Sequence, residues 1–262
     1  MEQTDQTAEV PDAYAHLFSL LTDMPEGVDL TLVGGSALAH YVREYRNVYP
    51  EDFGEGRSAA TKDLDFVGQR EEAERCAAHW GCKLIVPSPG DSTPEVAILE
   101  IVHGDFTFQI DFLHDLIGIQ RQRVISSRAP FDSDGRIFLL SEAMVLTNRV
   151  MNIVHLNKAD RHSLDQLHLA KTVVTCAIKA AIDTGRPKYA SRIAHTVLKL
   201  ARHRDGINFS HQHGISLVDC VPLGRGLPAE FEQYTLSNLT SQVEQKLASR
   251  RQRDTERASL TT

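Results

Sequence analysis

Six residues constrain this chain more than any others: Thr61-Lys62-Asp63-Leu64-Asp65-Phe66. Apolar Leu64 and Phe66 alternate with Asp63 and Asp65, the period of a strand with one buried face. Residues i and i+2 of a strand project the same way, so a strand over Lys62 to Val67 sets the two carboxylates side by side. Two carboxylates ~4 Å apart repel by ~4 kcal/mol at an effective dielectric of about 20. A fold holds such a pair when a cation lies between them, and Mg²⁺ or Mn²⁺ suits carboxylate oxygens. The other reading is two solvated acids on an open sheet face.

A third acid changes the balance between these readings. In Gln109-Ile110-Asp111-Phe112-Leu113 one carboxylate interrupts an apolar strand. Three converging acids are what a two-metal phosphoryl-transfer site requires; an acid pointing to solvent from a half-buried strand is the alternative for Asp111. Upstream, the apolar run Leu30-Thr31-Leu32-Val33 ends in Gly34-Gly35-Ser36 and then a helix. A strand entering a helix through two glycines exposes backbone N–H groups, which suits phosphate binding, and Ser36 adds a hydroxyl. The turn lacks the GK[ST] of a P-loop and the GxGxxG of a dinucleotide-binding fold. Leu38 stands where a nucleophile elbow has its second glycine.

Taken together, Leu32-Val33-Gly34-Gly35-Ser36-Ala37-Leu38, Thr61 to Phe66 and Ile110-Asp111-Phe112 resemble the DNA-polymerase-β-like nucleotidyltransferase superfamily. The GGSAL and TKDLDF forms look nearest to its AbiEii-like, toxin-type group. The resemblance implies that Asp63, Asp65 and Asp111 are catalytic and bind Mg²⁺ or Mn²⁺. It also implies an NTP donor held at Gly34, Gly35 and Ser36, and an antitoxin protein as a partner. A downstream stretch resembles the group more loosely, through Glu142, Arg149, Asn152, Lys158 and Asp165-Gln166-Leu167. Arg149 and Lys158 are the cations expected to reach the triphosphate; surface solvation is their other reading. Two further readings stay open: a catalytically inactive copy that binds a nucleotide or partner, and a phosphohydrolase using the same acids.

The pattern along the chain predicts a mixed α/β (α+β) fold, a sheet domain over 1–140 followed by a helical domain over 141–262. The resemblance implies that the first is a nucleotidyltransferase-type catalytic domain. Helices are expected over Pro11–Met24, Ala37–Tyr45, Glu71–Trp80, Ser141–Leu156, Ser163–Asp183, Tyr189–His203 and Ala229–Arg257. Strands are expected over Cys82–Val86, Glu95–Val102 and Asp105–Phe112 besides the two already given. Arg46–Thr61, rich in Pro, Gly and charge, reads as a long loop, a kind often functional. Val173, Val174, Ile178 and Ile182 recur at helical spacing and read as core.

Charge divides the chain as well. Residues 1–184 hold 16 Lys and Arg against 28 Asp and Glu, a balance of −12; residues 185–262 hold 12 against 7, a balance of +5. An acidic front and a basic tail fit a metal-binding half and an anion-binding half, although basic helices are commonly just solvated. On the first reading Arg250, Arg251 and Arg253 would touch an RNA acceptor; on the second they are a frayed end. Four cysteines without CxxC spacing read as reduced thiols, and twelve histidines without HExxH argue against structural zinc. Met1–Val10 carries no apolar run and no stretch approaches a membrane span, so the expectation is a cytoplasmic enzyme with no membrane partner.

Overall fold

The computed structural model describes residues 19–259 except 55, 56, 58, 60–62, 89, 92, 105, 132, 133, 223 and 225. The chain divides into two compact units, residues 1–39 with 60–141 and residues 40–59 with 142–262. The fold is mixed α/β, as the hydrophobic pattern predicts.

The first unit is built on a seven-stranded mixed sheet. Its strands are β1 (Leu30–Val33), β2 (Leu64–Val67), β3 (Lys83–Ile85), β4 (Glu95–His103), β5 (Phe106–Leu113), β6 (Arg128–Pro130) and β7 (Ile137–Leu140). Their order is β3-β4-β5-β2-β1-β7-β6. β2 runs parallel to β5 and β1 parallel to β7, while β1 and β2 are antiparallel. Leu64 and Phe66 are buried and Asp65 between them is half-exposed, the alternation the sequence shows. Phe66 pairs with Phe112 across β2 and β5, their rings 5.7 Å apart, so one sheet face is closed by aromatic packing. Helix α2 (Arg70–Trp80) starts where Glu72 accepts from the Gln69 amide at 2.7 Å and the Asp29 amide at 2.8 Å, and it stops at left-handed Gly81.

Helix α1 (Gly34–Val48) begins in the first unit and ends in the second. It starts earlier and ends later than the expected Ala37–Tyr45, because the glycine pair forms its first turn. Short helix α3 (Arg121–Ser127) completes the first unit.

The second unit is helical: α4 (Glu142–Leu156), α5 (Arg161–Asp183), α6 (Pro187–Arg202), α7 (Arg204–His213), a π-helical turn (Phe231–Leu236) and α8 (Ser237–Ser259). Asp160 caps α5, its carboxylate accepting from the Ser163 amide at 2.8 Å. Val173, Val174 and Ile178 are fully buried, and Ile182 is half-buried. Part of the expected Arg46–Thr61 loop is regular: Arg46–Val48 belong to α1 and Pro50–Asp52 form a 3₁₀ turn. Lys179 fastens that turn, donating to the two Asp52 oxygens at 2.7 and 2.5 Å, and Tyr49 donates to Asp183 at 2.8 Å.

The expected Pro11–Met24 helix lies outside the described residues as far as Phe18; Leu21 and Met24 beyond it are buried. Lys62 and Asp105, expected strand starts, also lie outside. Among the described residues no helix is long and apolar enough to cross a membrane. The four cysteines are free thiols.

Candidate active site

The site starts at the corner between β1 and α1. Gly34 adopts φ +65°, a conformation open to glycine. A β-carbon added there would lie 2.9 Å from the Asp65 carboxyl carbon and run into its Oδ2. Val33, the residue before, is the antiparallel register partner of Asp65. The missing side chain at 34 is therefore what lets the Asp65 carboxylate lie against the start of α1. Ser36 is fully buried, and its hydroxyl donates to the Asp63 carbonyl at 2.7 Å. That bond ties the corner to the residue just before β2.

Asp65 and Asp111 are register partners on parallel β2 and β5. Paired residues of neighbouring strands project from the same face, with the strands ~4.8 Å apart. The face opposite theirs holds Phe66 and Phe112. Asp63 stands one residue before β2, in a bend and exposed, while the cross-strand register sets Asp65 beside Asp111. Asp111 is half-buried, and its Oδ1 is buried with no hydrogen-bond partner among the described residues. Burial, then the charges of Glu95 and Asp63, push its carboxyl up to about 6.

Glu95 has no signature in the sequence beyond its place at the head of a strand. It opens β4 opposite Leu113, where the register shifts between Glu95 and Ala97. A carboxylate next to a bulge beside the acid-bearing strand is the signal that could have found it. Asp65, Asp111 and the nearby Asp63 and Glu95 form a hard, oxygen-only donor set, and the orphaned Asp111 oxygen fits a cation. Among the described residues, no three His, Cys, Asp or Glu side chains are gathered closely enough to hold an ion as they stand.

Arg149 and Lys158 belong to the second unit. The Arg149 guanidinium donates to Gln166 at 2.6 Å and to Asn148 at 3.2 Å, and Gln166 in turn meets His162 at 3.0 Å. This relay fixes the guanidinium on α4. Lys158 is exposed, next to Asn157 with its positive φ of 52°. Nearby in sequence, buried Glu142 accepts from the Tyr45 hydroxyl at 2.8 Å. Burial raises the Glu142 carboxyl, and Tyr41, stacked on Tyr45, is raised too, first by burial and then by the Glu142 charge.

The class these features define is an α/β unit with carboxylates paired on parallel strands beside a glycine corner, continued by a helical unit. No family model matches the chain, and no curated protein does. Among solved structures it is similar to the crystal structure of the Megavirus polyadenylate synthase: 12% identity and TM-score 0.39, over 79% of this chain and 44% of that one. The chain thus spans less than half of that enzyme's length. It is also similar to the crystal structure of JHP933 from Helicobacter pylori: 12% identity and TM-score 0.37, over 96% of this chain and 99% of the other. At those scores neither likeness bears on what this chain does.

Proposed function

We propose that this chain is a metal-dependent nucleotidyltransferase that moves a nucleotide from an NTP to an acceptor hydroxyl. The observation that carries the reading is the in-register pairing of Asp65 with Asp111, whose Oδ1 is buried and unpartnered. Two like charges on facing strands cost energy unless a cation is shared between them. Asp65 and Asp111, with Asp63 at the mouth of β2, would hold Mg²⁺ or Mn²⁺. When bound, such ions neutralise phosphate charge and make an attacking hydroxyl more acidic. The amides at Gly34 and Gly35 are the donors for the triphosphate, at the positive end of α1. Ser36 acts by position, since its hydroxyl is engaged by the Asp63 carbonyl. In the transfer itself the acceptor oxygen bonds the α-phosphorus, the bond to the β-phosphate oxygen breaks, pyrophosphate leaves, and the acceptor proton passes to water.

The same reading extends to an RNA acceptor, to Arg149 and Lys158 as triphosphate contacts, to a cytoplasmic location and to the toxin half of a toxin–antitoxin pair. The absence of a ready three-ligand cluster among the described residues favours the second reading, an inactive copy that binds a nucleotide or partner. One experiment separates the two. The protein is incubated with each labelled NTP, Mg²⁺ and total cell extract, beside an Asp65→Asn, Asp111→Asn variant. Transfer predicts one labelled fraction that the variant abolishes; no label with any NTP, alongside retained NTP binding, supports the inactive copy. Growth arrest on expression that the variant relieves would support the toxin assignment.

A further inference from the structure

The start of α6 presents three cations within seven residues, Arg186, Lys188 and Arg192, all exposed. Among the described residues none of the three meets a carboxylate; Arg186 donates to the Thr184 hydroxyl at 3.1 Å and has no charged partner. Lys179, in the same unit, is by contrast matched by Asp52. The unmatched charges also stand at the positive end of a helix dipole, where they oppose the helix rather than support it. They surround Tyr189, with the Arg186 guanidinium 5.5 Å and the Arg192 guanidinium 5.3 Å from its ring centre. Gly185 to Tyr189 and Arg192 line an open cavity of about 930 Å³. Burial, then the charge of buried Glu142, pushes the Tyr189 hydroxyl up to about 12.

We infer that this cavity is a binding site for single-stranded RNA. Arg186, Lys188 and Arg192 contact consecutive phosphates, and a base stacks on the Tyr189 ring or on a guanidinium plane. Guanidinium groups beside an aromatic ring combine the two interactions that hold unpaired strands, backbone neutralisation and stacking. The Arg250 to Arg253 run is a weaker candidate, because Arg250 already donates to Asn208 at 2.8 Å and Arg253 to the Ser249 carbonyl at 3.1 Å. Naming this strand as the acceptor rests on the transferase reading, but the binding itself does not.

The test uses the full chain, a fluorescent mixed-sequence oligoribonucleotide, EDTA and no NTP, so that chemistry plays no part. Anisotropy is followed over a salt series for the parent, for Arg186→Gln/Lys188→Gln/Arg192→Gln, and for the charge-matched Arg250→Gln/Arg251→Gln/Arg253→Gln. Each phosphate contact on a single strand contributes about 0.7 to the slope of log affinity against log salt. Losing three flattens the slope by about 2 and weakens binding about 100-fold near ~0.1 M salt. The α8 variant should change affinity less than threefold. Tyr189→Leu should weaken binding with the slope unchanged, since stacking releases no counterions. Equal losses in both charge variants, or no loss in the first, would overturn the site. A parallel assay with labelled NTP and Mg²⁺ in place of EDTA keeps the two readings apart. Strong RNA binding without any nucleotide transfer would leave the site standing and remove the transferase reading, and transfer to RNA that ignores the α6 variant would do the reverse.

Discussion

Replacing Gly34 by alanine should cost far more than a surface methyl group, and most of the cost should depend on Asp65. Two effects add. At φ +65° an L-residue costs about 1–2 kcal/mol, offset by about 0.4–1 kcal/mol because alanine restricts the unfolded chain. The added carbon also meets the Asp65 carboxylate, 2.9 Å from its Cγ and closer to its Oδ2, and forcing a crowded side chain aside costs about 1–3 kcal/mol. The sum is about 2–4 kcal/mol. In an Asp65→Ala background the carboxylate is gone and only the Asp65 β-carbon, 3.2 Å away, remains. There the glycine substitution should cost about 1 kcal/mol, a coupling of about 1–3 kcal/mol between the two sites. Urea unfolding of the four proteins in EDTA measures this cycle. Equal costs for Gly34→Ala in both backgrounds would refute the claim that residue 34 is kept bare to seat the Asp65 carboxylate.

Three other expectations are independent of that cycle. Burial and neighbouring acids raise Asp111 from 3.8 to about 6, so the folded chain binds its proton more tightly than the unfolded chain does. Without metal, that contribution to stability is present below pH 3.8 and is lost as pH rises to about 6; melting temperatures of Asp111→Asn should lack this decline, and parallel curves for the two proteins would rule it out. Tyr45→Phe strips a 2.8 Å donor from buried Glu142 and should lower stability by about 1–3 kcal/mol in urea unfolding, with a cost under ~0.5 kcal/mol counting against the bond. Titration with Mn²⁺ should saturate in the parent and not in Asp63→Ala/Asp65→Ala, and calorimetry giving the same affinity for both would end the metal assignment.

What the sequence made legible was local. β1, β2 and β5 follow from runs in which apolar residues alternate with, or surround, a single acid, and α5 and α6 from long aliphatic periodicity. β7 escaped because four apolar residues after a turn carry no period, and it becomes a strand through parallel pairing with distant β1. Helix α7 escaped for a different reason: Gly206 in its first turn argues against a helix locally. That glycine is buried where a β-carbon would strike the Leu200 carbonyl, so close packing with α6 sets the residue, not helix propensity. The acids were legible as chemistry, but the cross-strand partner of Asp65 was not. Asp63 lies ahead of β2, and the facing partner of Asp65 is Asp111, a relation that exists only once β2 and β5 are paired. Glu95 depends in the same way on the β4–β5 register.

The order of the seven strands also bears on how this chain avoids sticking to itself. An unpaired strand edge offers its amides and carbonyls to any passing chain. Here both edges are strands of three residues, β3 and β6, too short to template a long ladder. Each also carries a cation clasped across to a neighbour: Lys83 to Glu100 at 2.5 Å, and Arg128 to Asp29 with its guanidinium 3.8 Å over the Phe138 ring. Pro130 ends β6 without an amide hydrogen to give. The sheet's aggregation-prone margins are thus blunted by length, charge and proline, while the strands bearing Asp65 and Asp111 lie inside, where no edge-to-edge encounter reaches them.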